Sequence, residues 1–157
     1  MPAPQNQTGD IELIGSIIPV SVQVDATTAV INGGDVVHMI EATDNWETCP
    51  TSGLGPFAVA TVYGKAVNAS PSKVEIWRGP GVYVYVKAGA TIPPNNLVAS
   101  SAATAGRVDA FVEGTTAVTR KVGRYHAKGN VSPIQGDGVT ATTTASAGDL
   151  ILIELFE

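Results

Sequence analysis

Charge is what this 157-residue chain has least of: 15% of its residues are Asp, Glu, Lys or Arg, against roughly 25% in an average soluble domain. What charge there is leans acidic, with a formal net charge of −5. The densest basic stretch, Arg120, Lys121, Arg124 and Lys128, is sparse. A nucleic-acid backbone demands a concentrated basic face, so no nucleic-acid partner is expected. The single cysteine, Cys49, excludes an internal disulfide framework and a cysteine-built zinc site. No apolar run approaches the roughly 20 residues of a membrane helix, so no membrane partner is expected. Met1–Asp10 lacks the basic and apolar regions of a signal peptide, and synthesis in a cytoplasm is expected. Leucine, glutamate and lysine are too scarce for heptads, which excludes a coiled coil.

What is present is small and β-branched. Alanine, valine, glycine and threonine supply almost half the chain, a composition that favours sheet over helix. The expected fold is all-β, a small β-barrel or β-sandwich. Residues 1–10 (MPAPQNQTGD) have almost nothing to bury and read as an arm, ordered only against a partner. Residues 11–157 read as the β domain, divisible into two small bodies with a break near 87–106. Val20, Val22 and Val24 alternate with polar residues and share a face. Val36–Ile40 reads as a strand opened by the turn residues Asn32–Asp35. Glu41–Pro56 reads as one long loop carrying Trp46 and Cys49. Lys73–Trp77 and Val82–Val86, joined by Arg78–Gly81, read as a hairpin with Trp77, Tyr83 and Tyr85 opposite the valines. Cross-strand packing is the commoner use of such a face, and a protein interface is the other.

Further on, Ala99–Gly106 reads as loop, its alanines outweighed by Ser, Thr and Gly. Arg107–Glu113 and Ala117–Val122 read as strands, and 133–147 as a long exposed hairpin or loop. Leu150–Phe156 is apolar on both faces, which places it centrally in its sheet. One element recurs: Gly34-Asp35, Asn95-Asn96 and Gly148-Asp149 each open an apolar strand. Turn residues commonly precede strands, but the recurrence also points to related hairpins. Its spacing is too long and uneven for a solenoid.

No catalytic set emerges. His38 and His126 are the only histidines and fit no paired metal-binding spacing. His38 sits in an apolar strand, where a hydrogen-bonded structural role is usual. His126 reads as a solvated edge residue, and Cys49 as an inert thiol. No nucleophile elbow, P-loop or dinucleotide fingerprint occurs. Gly136-Asp137-Gly138 is a turn far more often than a calcium ligand. The sequons at Asn6, Asn68 and Asn130 mean nothing without secretion. No catalytic residue, cofactor or metal is expected, and composition favours a binding or structural module over an enzyme.

The order of the pieces resembles the head decoration, or cement, proteins of tailed bacterial and archaeal viruses. The segment Pro56–Val86 carries the likeness: a small-residue strand (Phe57–Tyr63), a polar excursion at Ala69, Ser70 and Ser72, a strand (Val74–Trp77), a glycine turn and an alternating strand. This order is similar to the central module of lambda-like decoration proteins. GATIPPNNLV and SAGDLILIEL resemble decoration proteins with a second β body. The longer 42–55 segment departs from that pattern.

The resemblance implies a tulip-like β body that forms a homotrimer on the outer capsid surface of the virion, made in the host cytoplasm and bridging subunits of the major capsid protein. It also implies that the arm, through Pro2, Pro4, Gln5, Asn6, Gln7 and Thr8, adds backbone hydrogen bonds to a capsid strand. A second reading is a ligand- or glycan-binding β module on a virion or cell surface, stacking sugars on Trp46, Trp77, Tyr83 and Tyr85. A third, a small hydrolase using His38 or His126, has no motif behind it.

Overall fold

Alternating valines build strands from end to end of the chain, and they pair into two main sheets. The computed structural model describes residues 11–12, 19–25, 30–61, 66–67, 73–128 and 144–157; the proposed arm, 1–10, and most of the 133–147 segment lie outside them. The strands are β1 (Ile11–Glu12), β2 (Val20–Gln23), β3 (Val30–Ile31), β4 (Val36–Ile40), β5 (Asn45–Thr48), β6 (Phe57–Ala60) and β7 (Ala66–Val67). They continue with β8 (Lys73–Trp77), β9 (Tyr83–Lys87), β10 (Leu97–Ser100), β11 (Val108–Ala110), β12 (Lys121–Lys128) and β13 (Leu150–Leu155). The described helical content is one 3-10 turn, Val118–Arg120. The all-β expectation is met.

One sheet runs β2-β8-β6-β4-β5 and the other β1-β9-β13-β12-β10-β11, with all neighbours antiparallel. Each curls until two of its strands meet in one parallel bridge. Val24↔Trp46 joins the end of β2 to β5 in the first, and Ala88↔Val108 joins the end of β9 to β11 in the second, where β1 stays as an extra strand beside β9. These bodies are barrel one and barrel two. The chain passes between them at residues 78–82, ahead of the break expected near 87–106.

The expected β8–β9 hairpin is not formed. β8 pairs with β2 and β6, whereas β9 pairs with β13 and β1. Alternation reports which face is buried and is silent about which strand lies alongside. The 41–56 segment also differs from a single loop. Residues 41–44 make a tight turn, with Asp44 at φ 56, and Asn45–Thr48 returns as β5. Ala117–Val122 is a 3-10 turn leading into β12, not continuous strand. The central position expected for the last strand is correct: β13 lies between β9 and β12.

Numbered within each barrel and with β1 set aside, both sheets read 1-5-4-2-3, and their registers superpose except at the bulges of β12. Met39↔Trp46 falls on Ser100↔Val108, and Val37↔Ala58 on Val98↔Gly123. Ala60↔Ile76 falls on Tyr125↔Ile153, and Val22↔Val74 on Val86↔Ile151. The small β3–β7 pair, Ile31↔Ala66, matches the bridge Ile92↔Ala145. The chain is therefore a structural tandem.

The recurring dipeptides belong to one turn geometry. In Asn32–Asp35, Pro93–Asn96 and Ser146–Asp149 the fourth N–H donates to the first C=O, at 3.1, 3.3 and 3.0 Å. The third residue is left-handed in each: Gly34, Asn95 and Gly148 at φ 83, 56 and 86. Glycine and asparagine are the residues that accept that conformation in a turn.

Barrel one is filled by Val24, Ile31, Val37, Trp46, Ala58, Ala60, Val74 and Ile76. The inward residues of barrel two, among them Val86, Val98, Val108, Tyr125, Ile151 and Ile153, form one cluster with Val36, Cys49, Phe57 and Val59 from the outside of barrel one. The two bodies thus share a core. A third cluster, Tyr85, Ala127 and Leu152, lies on the opposite face of the larger sheet.

Candidate functional site

Residues 49–56, the second half of the segment expected to be a functional or interfacial loop, form much of the seam between the barrels. Cys49 and Val36 clasp the Gly106 turn: Gly106 N donates to Cys49 O and Val36 N to Gly106 O, both at 2.9 Å. Ser52 N donates to Ser101 O at 2.8 Å, and Gly55 N to Thr119 O at 3.1 Å. The buried Ser100 Oγ donates to Gly53 O at 2.6 Å, and the Arg120 guanidinium donates to both Ser100 Oγ and Ser100 O. Glu157 adds a stitch, its carboxylate accepting from Phe57 N at 3.1 Å. Buried backbone groups that cross a seam are costly to separate, because each donor or acceptor lost must find water.

Cys49 is buried in this seam, and burial pushes its thiol up to about 12. A thiol held protonated is a poor nucleophile, so the inert reading of Cys49 agrees with its surroundings.

The four aromatics named as an interface or stacking set do not share a surface. Trp46 fills barrel one at 3% exposure, with the Arg78 guanidinium over its ring at 5.7 Å. Tyr85 is wholly buried beside Leu152. Trp77 packs at the edge of the shared core, and Tyr83 is half-buried against the His126 ring, with centroids 5.1 Å apart. Trp46 and Tyr85 therefore offer no face to a sugar, because alternation placed both rings among apolar neighbours.

Both histidines are held by carboxylates. His38 places Nε2 2.9 Å from Glu47 Oε1 and Nδ1 2.9 Å from Leu54 O. Neither ring nitrogen is left over to act on a substrate. His126 Nε2 lies 2.9 Å from Glu154 Oε2. No group of three or more potential metal ligands occurs among the described residues.

Two depressions are lined by described residues. A polar cleft of about 280 Å³ between the barrels is lined by Asn32, Gly33, Gly34, Asp35, Lys87, Gly106 and Arg107. Burial raises the Asp35 carboxyl there, against the lowering effect of its bond from Asn32 N–H. The larger depression, about 680 Å³, is a groove on barrel two, with Leu97 and Phe111 at one side and the 113–118 segment at the other. The Lys121 ammonium stands 4.5 Å from the Phe111 ring centroid inside it. Sequence reasoning passed over this groove because its walls come from three separate strands and a loop. The one visible signal was Val112 and Val118 in a stretch of otherwise polar turn residues, and they are 53% and 69% exposed. No protein-family model matches the chain, and no curated protein matches it either.

Proposed function

We infer that this chain is a structural, non-enzymatic virion protein that decorates the outer surface of an icosahedral capsid, bridges major capsid protein subunits and associates as a homotrimer. The observation that carries this reading is the seam. Two like barrels joined through a shared core and a row of backbone hydrogen bonds, buried where Val36 and Cys49 hold Gly106, make a stiff block, which suits a part that must resist separation of its neighbours. Closure of each five-stranded set also withdraws strand edges from unwanted pairing. The order of residues 56–86 resembles lambda-like decoration modules as sequence, while the structure divides that segment between the barrels, β6 and β8 in one and β9 in the other. In this role the added free energy is multivalent: subunits held by one copy cannot part without breaking its contacts.

The test compares purified particles of the parent virus with and without the chain. Decorated particles survive heat or osmotic shock that bursts bare ones, and the double variant His38→Gln/His126→Gln protects as well as the natural chain if it folds. Equal survival of decorated and bare particles overturns the reading.

A further inference from the structure

Barrel one grips barrel two with Val36, Cys49 and the 50–56 segment. The register match carries these residues onto Leu97, Phe111 and the loop that follows Phe111. Cys49 N donates to Val36 O, and Phe111 N donates to Leu97 O in the same way. Leu97, Phe111 and residues 113–118 are also what lines the 680 Å³ groove. The gripping face thus exists twice in the chain. In barrel one it is filled by barrel two, and in barrel two no described residue fills it.

What fills it in barrel one is the turn between β10 and β11, centred on Gly106. The matching turn of barrel one is 41–44, between β4 and β5. Asp44 there holds the same left-handed backbone as Gly106, at φ 56 against 74. All four residues of that turn are exposed. We propose that copies of this chain associate head to tail, the 41–44 turn of one copy seating in the barrel-two groove of the next, in repetition of the seam within each chain.

Chemistry at the two surfaces agrees. The groove holds the Lys121 cation over Phe111, with Glu113 in its opposite wall, and the turn carries Glu41 and Asp44 to face Lys121. Of the six large apolar residues exposed among the described residues, Val118 lines the groove and Val112 lies between its lining residues Phe111 and Glu113. The Gly55 N–Thr119 O and Phe156 N–Val122 O bonds tie the neighbourhood of the exposed Leu54 and Phe156 to the segment that follows Val118. An interface of this kind uses two different faces, so it closes into a ring or runs on as a filament. The inference rests on the self-association contained in the proposed function and names its surface.

Sedimentation of the full chain across micromolar concentrations tests it. Val118→Asp in the groove rim and Glu41→Arg in the turn each raise the concentration needed for half-association by about tenfold or more. Val20→Asp, on an exposed valine of β2, leaves it unchanged. Each groove or turn variant retains one intact face, so mixing the two yields a complex of two copies that grows no further. Natural-like assembly by both variants, or no pairing in the mixture, overturns the head-to-tail interface. A natural chain that stays monomeric overturns it too, whereas the particle-survival experiment then still decides the decoration reading separately.

Discussion

Barrel one and barrel two solve the same packing problem with opposite choices at matching positions. Where barrel one has Trp46 it has alanine at 60, and where barrel two has Tyr125 it has valine at 108. Ala60 matches Tyr125 in register, and Trp46 matches Val108. One large ring fills each interior, inserted from the third strand in one case and from the fourth in the other. Interiors are packed as densely as organic crystals, so a ring added at one position requires volume to be removed at another. The comparison teaches that topology and register, not residue identity, are what the two halves share.

The comparison breaks most readily at Ala58 and Gly123, which also match. A Cβ at Gly123 would overlap the backbone carbonyl of Glu154, and backbone of a central strand cannot step aside. Gly123→Val is expected to cost at least about 3 kcal/mol, read as a collapse of the urea midpoint with loss of cooperative unfolding. The reciprocal change, Ala58→Gly, is expected to cost about 1 kcal/mol. Similar losses at both sites would show that the register match does not extend to packing.

The filling residues come next. Trp46→Ala is expected to destabilise by about 3–5 kcal/mol and Val108→Ala by about 2 kcal/mol, since the cavity grows with the side chain removed. Thermal unfolding measures both. A ranking in the opposite order would mean that barrel two, not barrel one, limits stability.

The smallest contrast lies in the turns. Asp35 and Asp149 each accept a hydrogen bond from the first N–H of their turn, at 2.9 and 2.7 Å. Burial raises Asp35, whereas the Ser146 N–H first, and then Lys128 at 2.9 Å, lower Asp149. The signs follow. Asp149 contributes stability above the ordinary carboxylate value of 3.8, and that contribution is lost as pH falls through its lowered folded value. Asp35 does the reverse, since its ionised form is disfavoured by folding and stability falls as pH rises through its raised value. At pH 7, Asp149→Asn is expected to cost about 0.5–1 kcal/mol, a difference that fades in acid. Asp35→Asn is expected to be neutral or slightly stabilising. Chemical denaturation at pH 7 and pH 3 separates the two.

Much of this was readable in the residues. Alternation located most strands, and the doubly apolar run 150–156 announced a central strand. The recurrence of Gly34-Asp35 and Asn95-Asn96, spaced 61 residues apart, was the visible trace of the tandem. The rest stayed hidden for a physical reason. Matching positions hold Trp against Val, Ala against Tyr and Met against Ser, because paired substitutions that conserve volume erase likeness while the register persists. Strand partners were also out of reach, since β8 and β9 alternate perfectly well without pairing. The groove was missed for the same reason, as nothing local in Leu97, Phe111 or Lys121 says that they meet.

The order of strands along the chain has a consequence for synthesis on the ribosome. Barrel one is complete once Trp77 has emerged, because its first and fifth strands are β2 and β8. Barrel two must wait for β13, the fifth strand of its own set. At translation rates of about 5–20 residues per second the interval is on the order of 4–16 s. Throughout it, the apolar outer face of barrel one at Val36, Cys49, Phe57 and Val59 stands without its cover. The nascent chain is then a finished barrel with an adhesive side, at the stage when a chaperone has most to offer it.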